Sequence, residues 1–267
     1  MARFQYILGD AAPEVKRLNF QAQVWKDMTE GLFDRIKVGP NWRCLDVGAG
    51  TGSALFSLSR RVMKGGGRVD AIERSPAFSS YLRRIMRGTG ESKVRIFESD
   101  ILQAPLEHGY YDLIFSRWVF SFLPRVEEHL YRLVQALKPG GIIAIEDYHR
   151  DSLALYPKFE SWDTMLRAER TWYGVQGGDL NIAARLPDLY RKMGLEVVEV
   201  TPNIKVGNPG SDVWQWAESF FIGRLKDLST HYPFSKERAK QFRKDWMKAK
   251  KNPASLFISP VTLDVVG

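Results

Sequence analysis

Three glycines stand at alternate positions in Leu45-Asp46-Val47-Gly48-Ala49-Gly50-Thr51-Gly52, directly behind a carboxylate. Residues without a Cβ let the backbone turn sharply and approach a ligand closely. A short apolar run precedes this stretch and a helical pattern follows it, the layout of a strand–loop–helix ligand site. Further residues able to do chemistry recur downstream: Glu73, 21 residues beyond Gly52, then Asp100, then Ser116-Arg117-Trp118. An acid about 20 residues after a glycine turn can accept both hydroxyl hydrogens of a ribose. An acid on the following strand can accept from an amine. The dinucleotide pattern G-x-G-x-x-G/A is not met, because its third position is Ser53, and no Gly-Lys-Ser/Thr follows to make a P-loop.

These residues need a frame that brings them together, and the hydropathy pattern supplies one. Residues 13–38 predict a helix, with Val15, Leu18, Phe20, Val24, Met28, Leu32, Phe33 and Ile36 near a 3.6 period and Gly39-Pro40 as its stop. Strands and helices then alternate. Strands are expected at 43–47, 68–73, 94–99, 111–116 and 142–146, and helices at 53–63, 77–87 and 127–137. Alternation of this kind implies a parallel sheet with right-handed crossovers and helices on both faces. Asp46, Glu73, Asp100 and Ser116 then fall at the carboxyl ends of successive strands, the edge where ligands bind in such sheets. Beyond residue 147 the pattern loosens into an aromatic-rich, helical-looking segment at 148–178. A helix at 187–193 and a sixth strand at 195–200 follow. Two amphipathic stretches occupy 211–250, and a last strand is expected within 255–266. The segments 148–178 and 207–252 read as insertions over the ligand edge.

Composition narrows the class. The chain has 267 residues, 44% of them hydrophobic, which suits one large α/β domain. It has no run of about 18 apolar residues, so no membrane span is expected, and the first residues lack the apolar stretch of a leader. Cys44 is the only cysteine, so neither an intrachain disulfide nor a cysteine-rich metal site is expected, and a cytoplasmic setting is the default. The net charge of +8 is concentrated at Arg83, Arg84 and Arg87 and at 236–251. A solvated helical face accounts for it better than a nucleic-acid surface does.

On Leu45 to Gly52, Ile72-Glu73, Ser99-Asp100-Ile101, Tyr111 to Ser116 and Leu137-Lys138-Pro139-Gly140-Gly141, the chain resembles the class I S-adenosylmethionine-dependent methyltransferases. The resemblance is strong over residues 42–147. It implies a Rossmann-like fold: a seven-stranded, mostly parallel sheet in three layers, with the last strand antiparallel. It implies S-adenosyl-L-methionine as cofactor and S-adenosyl-L-homocysteine as product. The turn of Gly48, Ala49, Gly50 and Gly52 would pass beneath the methionine part and Asp46 would face its ammonium. Glu73, with Arg74 beside it, would hold the ribose. Asp100 would accept from the adenine amine, with Ile101 flanking the ring. Ser116 and Arg117 would border the sulfonium. The N-terminal stretch resembles a subset of the family in which Tyr6, Arg17, Gln21 and Gln23 touch the methionine carboxylate or close the site, although a plain packing helix reads as well. The expected division is a single domain with its core at 40–147, 180–206 and 254–267. A helical cap would come from 1–39, 148–178 and 207–252.

Methyl transfer from a sulfonium needs alignment and exclusion of water, and a base only where the acceptor must lose a proton. No strong catalytic motif is therefore expected. The candidates beside the methyl are Trp118, Tyr148 and His149, the last as a general base or a contact to an acidic substrate. Each reads equally well as a structural residue. The aromatic residues of 148–178, with Trp214, Trp216, Phe220 and Phe221, either line an apolar pocket or pack the cap. No Asn/Asp-Pro-Pro-Tyr/Phe follows the fourth strand, which disfavours amino-directed methylation of adenine or glutamine, and Cys44 precedes the glycine loop, where it is not placed as the attacking thiolate of a cytosine-5 enzyme. A small organic acceptor is the leading expectation. An RNA or protein methyltransferase and a non-catalytic cofactor-binding protein remain as alternatives. A nicotinamide enzyme is disfavoured by Ser53. Oligomeric state is not legible.

Overall fold

A computed structural model describes residues 12–89, 94–231 and 234–267, so Tyr6 lies outside the described residues. The chain opens with helices α1 (Ala12–Val24) and α2 (Lys26–Arg35), then β1 (Arg43–Val47), α3 (Ser53–Val62), β2 (Arg68–Glu73), α4 (Pro76–Thr89) and β3 (Val94–Glu98). Next come β4 (Tyr111–Arg117), α5 (Val126–Val134), β5 (Leu137–His149), β6 (Ala154–Tyr156), α6 (Glu160–Val175) and α7 (Ile182–Lys192). The chain closes with β7 (Glu199–Asn203), β8 (Val206–Gly207), α8 (Asp212–His231), α9 (Lys236–Lys251), β9 (Leu256–Ile258) and β10 (Val261–Val266).

Seven strands form one sheet in the order β3-β2-β1-β4-β5-β10-β7. β1 to β5 pair in parallel, while β10 inserts between β5 and β7 and runs antiparallel to both. The strand order reverses between β1 and β4, which is where an open α/β sheet leaves a crevice at its carboxyl edge. The central strands have no exposed face: Leu45, Val47, Leu113, Ile114, Phe115, Ile143 and Ile145 are fully buried. Their continuous apolar runs fit strands covered by helices on both sides. One face packs on Leu32, Phe33, Leu55, Leu58 and Leu82, the other on Leu130, Leu133, Leu186 and Tyr190.

Several boundaries differ from the sequence expectation, each for a local reason. The helix expected at 13–38 breaks at Trp25, whose backbone leaves the helical region at φ −108° and ψ 14°. The break lets the Trp25 ring bury completely against Trp118 and Trp216, at centroid distances of 5.6 and 5.2 Å. The last strand is two strands, divided at Ser259-Pro260, where proline has no N–H for the ladder. β10 stays in the main sheet, while β9 joins β6 and β8 in a second, three-stranded sheet. The segment 148–178 is not wholly helical. It begins with the end of β5, passes through β6, and becomes helical only at α6. The helix expected at 187–193 starts earlier, at Ile182, and the sixth strand lies at Glu199–Asn203 rather than at 195–200.

Helices α6, α8 and α9 and the small sheet enclose a third apolar cluster, built mainly of aromatic rings. Trp162, Trp246, Phe221, Phe242 and Phe257 are each at most 2% exposed. Trp162 alone meets Phe221, Phe242, Trp246 and Phe257 at 4.9 to 6.4 Å between ring centroids. Trp214, Trp216 and Phe221 therefore serve as packing residues of this cap, which settles their two readings in favour of the core.

Candidate functional site

The glycine turn is set by hydrogen bonds between neighbouring strands. The N–H groups of Gly48 and Ala49 both donate to the Ile72 carbonyl, at 2.8 and 3.1 Å. Gly48 has φ +71°, and a Cβ there would stand 2.3 Å from Cγ2 of Val119, so only glycine fits. The Gly50 N–H donates to Glu73 Oε2 at 2.8 Å, and the Ser75 N–H donates to Glu73 Oε1 at 2.7 Å. These bonds, with a further one from the Arg74 backbone amide, fix the Glu73 carboxylate at the end of β2. Burial raises the Glu73 carboxyl above its ordinary range, with the amides of Ser75 and Gly50 working against that.

Asp46 is the unusual group. It is 2% exposed, and its Oδ2 has no hydrogen-bond partner. Burial pushes its carboxyl up to about 7, against the opposing attraction of the Arg117 guanidinium. An orphaned acid oxygen of this kind calls for an explanation, and a ligand cation supplies one.

A cavity of about 1060 Å³ runs along the carboxyl edge of the sheet. Of the residues expected at the site, Arg17, Gln21, Asp46, Gly48, Ala49, Gly50, Glu73, Arg74, Asp100, Ile101, Arg117, Trp118 and Tyr148 line it. Four expected residues do not, and each has a structural role or exposure instead. Gly52 caps the N-terminus of α3 at φ +85°, where a Cβ would meet Leu82 rather than the cavity. Ser116 is buried, with its hydroxyl donating to the Val47 carbonyl at 3.2 Å. Gln23 points to solvent. His149, expected as a possible base, lies past the cavity wall at the end of β5, opposite Val261 of β10.

The remaining polar residues are held in place by their neighbours. Asp100 accepts from the Leu102 N–H at 3.0 Å, so it shapes its own turn as well as facing the cavity. Arg17 donates to both Glu14 oxygens, at 2.7 and 2.6 Å, and to Gln21 Oε1 at 3.0 Å. Gln21 Oε1 also accepts from Trp216 Nε1 at 3.0 Å, which ties α1 to α8 over the cavity. Arg117 donates to Ser53 Oγ at 2.6 Å and to Thr29 Oγ1 at 2.8 Å, and Thr29 passes the chain on to Glu146 Oε2 at 2.6 Å. Glu146 is fully buried, and burial holds its carboxyl well above the ordinary range.

Part of the cavity lining is aromatic. Trp118 follows β4 with φ +55°, a strained conformation for a bulky residue and one that clusters at functional sites. Its ring stacks on Tyr148 at 5.2 Å and 8° between planes. Tyr173 of α6 and Phe220 of α8 complete this wall. Phe122 and His129 also line the cavity, as does Leu18, which its spacing marks only as part of the apolar period of the first helix.

Behind the wall sits a buried charge cluster that the sequence does not reveal, because each member looks like an ordinary residue of an amphipathic helix or loop. Arg150 donates to both oxygens of Glu169, at 2.9 and 3.0 Å, and Arg224 donates to Glu169 Oε1 at 2.5 Å. Burial works to raise the Glu169 carboxyl, but the two guanidiniums outweigh it and hold it below its ordinary value.

The chain is similar to known proteins in sequence and in fold. Residues 45–145 match the model of a family described as a methyltransferase domain. A carboxy-S-adenosyl-L-methionine synthase of Yersinia enterocolitica is 30% identical over 120 residues, which is 44% of this chain and 44% of that protein. The match thus spans less than half of that relative. A carboxy-S-adenosyl-L-methionine synthase of Hamiltonella defensa is 26% identical over 207 residues, 75% of this chain and 78% of that protein. Among solved structures, a SAM-dependent methyltransferase from Aquifex aeolicus superposes with a TM-score of 0.55 at 20% identity, covering 72% of this chain and 92% of that one. At that identity the superposition speaks for the fold.

Proposed function

Because the chain belongs to the class I S-adenosylmethionine-dependent methyltransferases, we propose that it moves the methyl group of S-adenosylmethionine to a small organic acceptor. The observation that carries this reading is the cavity itself. Its lining combines Asp46, the glycine turn, Glu73 and Asp100 with the aromatic side chains of Trp118, Tyr148, Tyr173 and Phe220. A cationic sulfonium cofactor with an ammonium, a ribose and an adenine fits the first set, and an apolar organic body fits the second. The unpartnered Asp46 Oδ2 suits the ammonium, and the Glu73 carboxylate, which lines the cavity, suits the ribose hydroxyls. A deep cavity with a few convergent polar groups is the usual form of a small-molecule site. Among the described residues no helix is long and apolar enough to cross a membrane. A cytoplasmic setting, in keeping with the single buried cysteine Cys44, is part of the same reading.

The cofactor supplies the electrophilic methyl, and the residues of this chain align and shield it. Arg117 is held by Ser53 and Thr29 in the cavity lining. Trp118 and Tyr148, stacked on one another, form a rigid wall that keeps water out. Burial raises the Tyr148 phenol well above its ordinary value, so at neutral pH it is a hydrogen-bond donor and orients the acceptor rather than removing its proton.

The direct test is incubation with methyl-labelled S-adenosylmethionine and separate pools of small organic compounds, RNA and protein. Label is expected in the small-molecule pool. Label confined to RNA or protein, or cofactor binding without turnover in any pool, overturns the reading. The similarity to carboxy-S-adenosyl-L-methionine synthases favours a second reading, in which S-adenosylmethionine is itself the molecule modified. A mass spectrum of the recovered cofactor separates the two.

Cofactor binding is also expected to depend on pH. Asp46 is pushed up to about 7 in the free protein and must be ionised to pair with an ammonium. Affinity for S-adenosylhomocysteine should rise as pH goes from about 6 to about 8, as read by calorimetric titration. The rise should be absent in Asp46→Asn. A flat profile in the unsubstituted protein contradicts the role given to Asp46.

A further inference from the structure

The charges of the Arg150–Glu169–Arg224 cluster do not balance: two guanidiniums share one carboxylate. Arg224 is 0% exposed, Arg150 6% and Glu169 1%, so the three side chains together form a buried cluster with one more cation than anion. Nε and Nη2 of Arg224 and Nε of Arg150 have no hydrogen-bond partner. Asp147, a buried acid three residues before Arg150, has its oxygens on the backbone amides of Ser121 at 3.1 Å and Tyr148 at 2.8 Å, and Asp151, next to Arg150, pairs with Arg170 instead. Aromatic rings surround the excess charge. The Arg224 guanidinium lies 4.7 Å from the Phe220 ring and 5.4 Å from Tyr173, and that of Arg150 lies 4.9 Å from Phe220 and 6.0 Å from Tyr148. Ring faces attract a cation but leave N–H donors unmet.

The same three rings, Phe220, Tyr173 and Tyr148, belong to the aromatic wall of the cavity assigned to the acceptor. The arginines therefore stand one aromatic side chain behind that wall. We propose that Arg224 and Arg150 form an anion subsite for a carboxylate on the methyl acceptor, reached when the Phe220 ring turns aside. The acceptor is then a flat or apolar organic acid, its body against Tyr148 and Trp118 and its carboxylate on the guanidinium fork. A planar fork is the best match to a carboxylate, and a second anion brings the cluster to neutrality. The inference rests on the reading of the cavity as a methyltransferase site.

The test uses benzoate and phenylacetate, with benzamide and phenylacetamide as neutral partners, each titrated by ligand-detected NMR into protein saturated with S-adenosylhomocysteine. The acids are expected to bind, and the amides to bind roughly tenfold to a hundredfold more weakly. Arg224→Met leaves Arg150 and Glu169 as a neutral pair. It should abolish the preference for acid while retaining affinity for S-adenosylhomocysteine. Arg224→Lys should keep part of the preference. If Arg224→Met fails to fold, seen as loss of S-adenosylhomocysteine binding, the acid–amide comparison on the unsubstituted protein decides alone. Equal binding of acid and amide, or no binding of any acid while S-adenosylhomocysteine binds, overturns the subsite. Failure of S-adenosylhomocysteine to bind the unsubstituted protein overturns instead the reading on which the subsite rests.

Discussion

Substituting Asp46 by Asn is expected to weaken binding of S-adenosylhomocysteine about tenfold to a hundredfold at pH 8 while stabilising the protein without ligand. The two effects have one origin. Asp46 is 2% exposed with an unpartnered Oδ2, and its carboxyl is pushed up to about 7 from an ordinary 3.8. The folded chain thus holds a proton at Asp46 that the unfolded chain releases between about pH 4 and about pH 7. Its contribution to stability falls as pH rises through that window, and above it the buried charge opposes folding. Asn removes the charge and should raise stability at pH 8 by roughly 1–3 kcal/mol. It also removes the counter-charge of the ligand ammonium, and a hydrogen bond to a charged group is worth about 1.5–3 kcal/mol. Chemical denaturation and calorimetric titration of the same two proteins check both parts. A variant that loses affinity and stability together would mean that Asp46 serves the fold.

The largest loss of stability is expected at Glu169. Glu169→Ala leaves the Arg150 and Arg224 guanidiniums facing one another without an anion, at 6% and 0% exposure. Removing one partner of a buried ion pair costs about 3–5 kcal/mol, and here two cations are stranded. The loss should be read in the denaturation midpoint, with an unchanged slope if unfolding stays cooperative. Replacing Arg224 by Met should cost much less, since it removes the unbalanced charge. If Glu169→Ala and Arg224→Met prove equally destabilising, the excess charge is not where the structure puts it.

The sheet was legible because its strands are uniform. The expected bounds of β1 and β2 match the structure to the residue, since Gly48 closes Arg43–Val47 and Gly67 precedes Arg68–Glu73. The shared cavity of Asp46, Glu73 and Asp100 followed from them, because these residues need only be at strand ends to meet. The cap was less legible. Trp25 breaks a continuous helical period because a ring seeks burial, a tertiary effect that local spacing does not carry. Ser259-Pro260 divides what reads as one strand between two sheets. The aromatic lining of the cavity was half legible. An aromatic-rich segment was visible, but only packing separates Tyr173 and Phe220, which face the cavity, from Trp162, Trp214 and Phe221, which fill the cap. Arg224 was not legible at all. Its burial comes from α6 packing on α8, and an arginine in a helix otherwise reads as solvated.

The central claim is that the edge containing Asp46, the glycine turn, Glu73 and Asp100 binds S-adenosylmethionine. Its most direct measurement is calorimetric titration with S-adenosylhomocysteine and, separately, with NAD. The account predicts saturable binding of S-adenosylhomocysteine that is lost in Gly48→Val, where a Cβ would stand 2.3 Å from Val119 Cγ2, and no comparable binding of NAD. Tight binding of NAD, with none of S-adenosylhomocysteine, would contradict it.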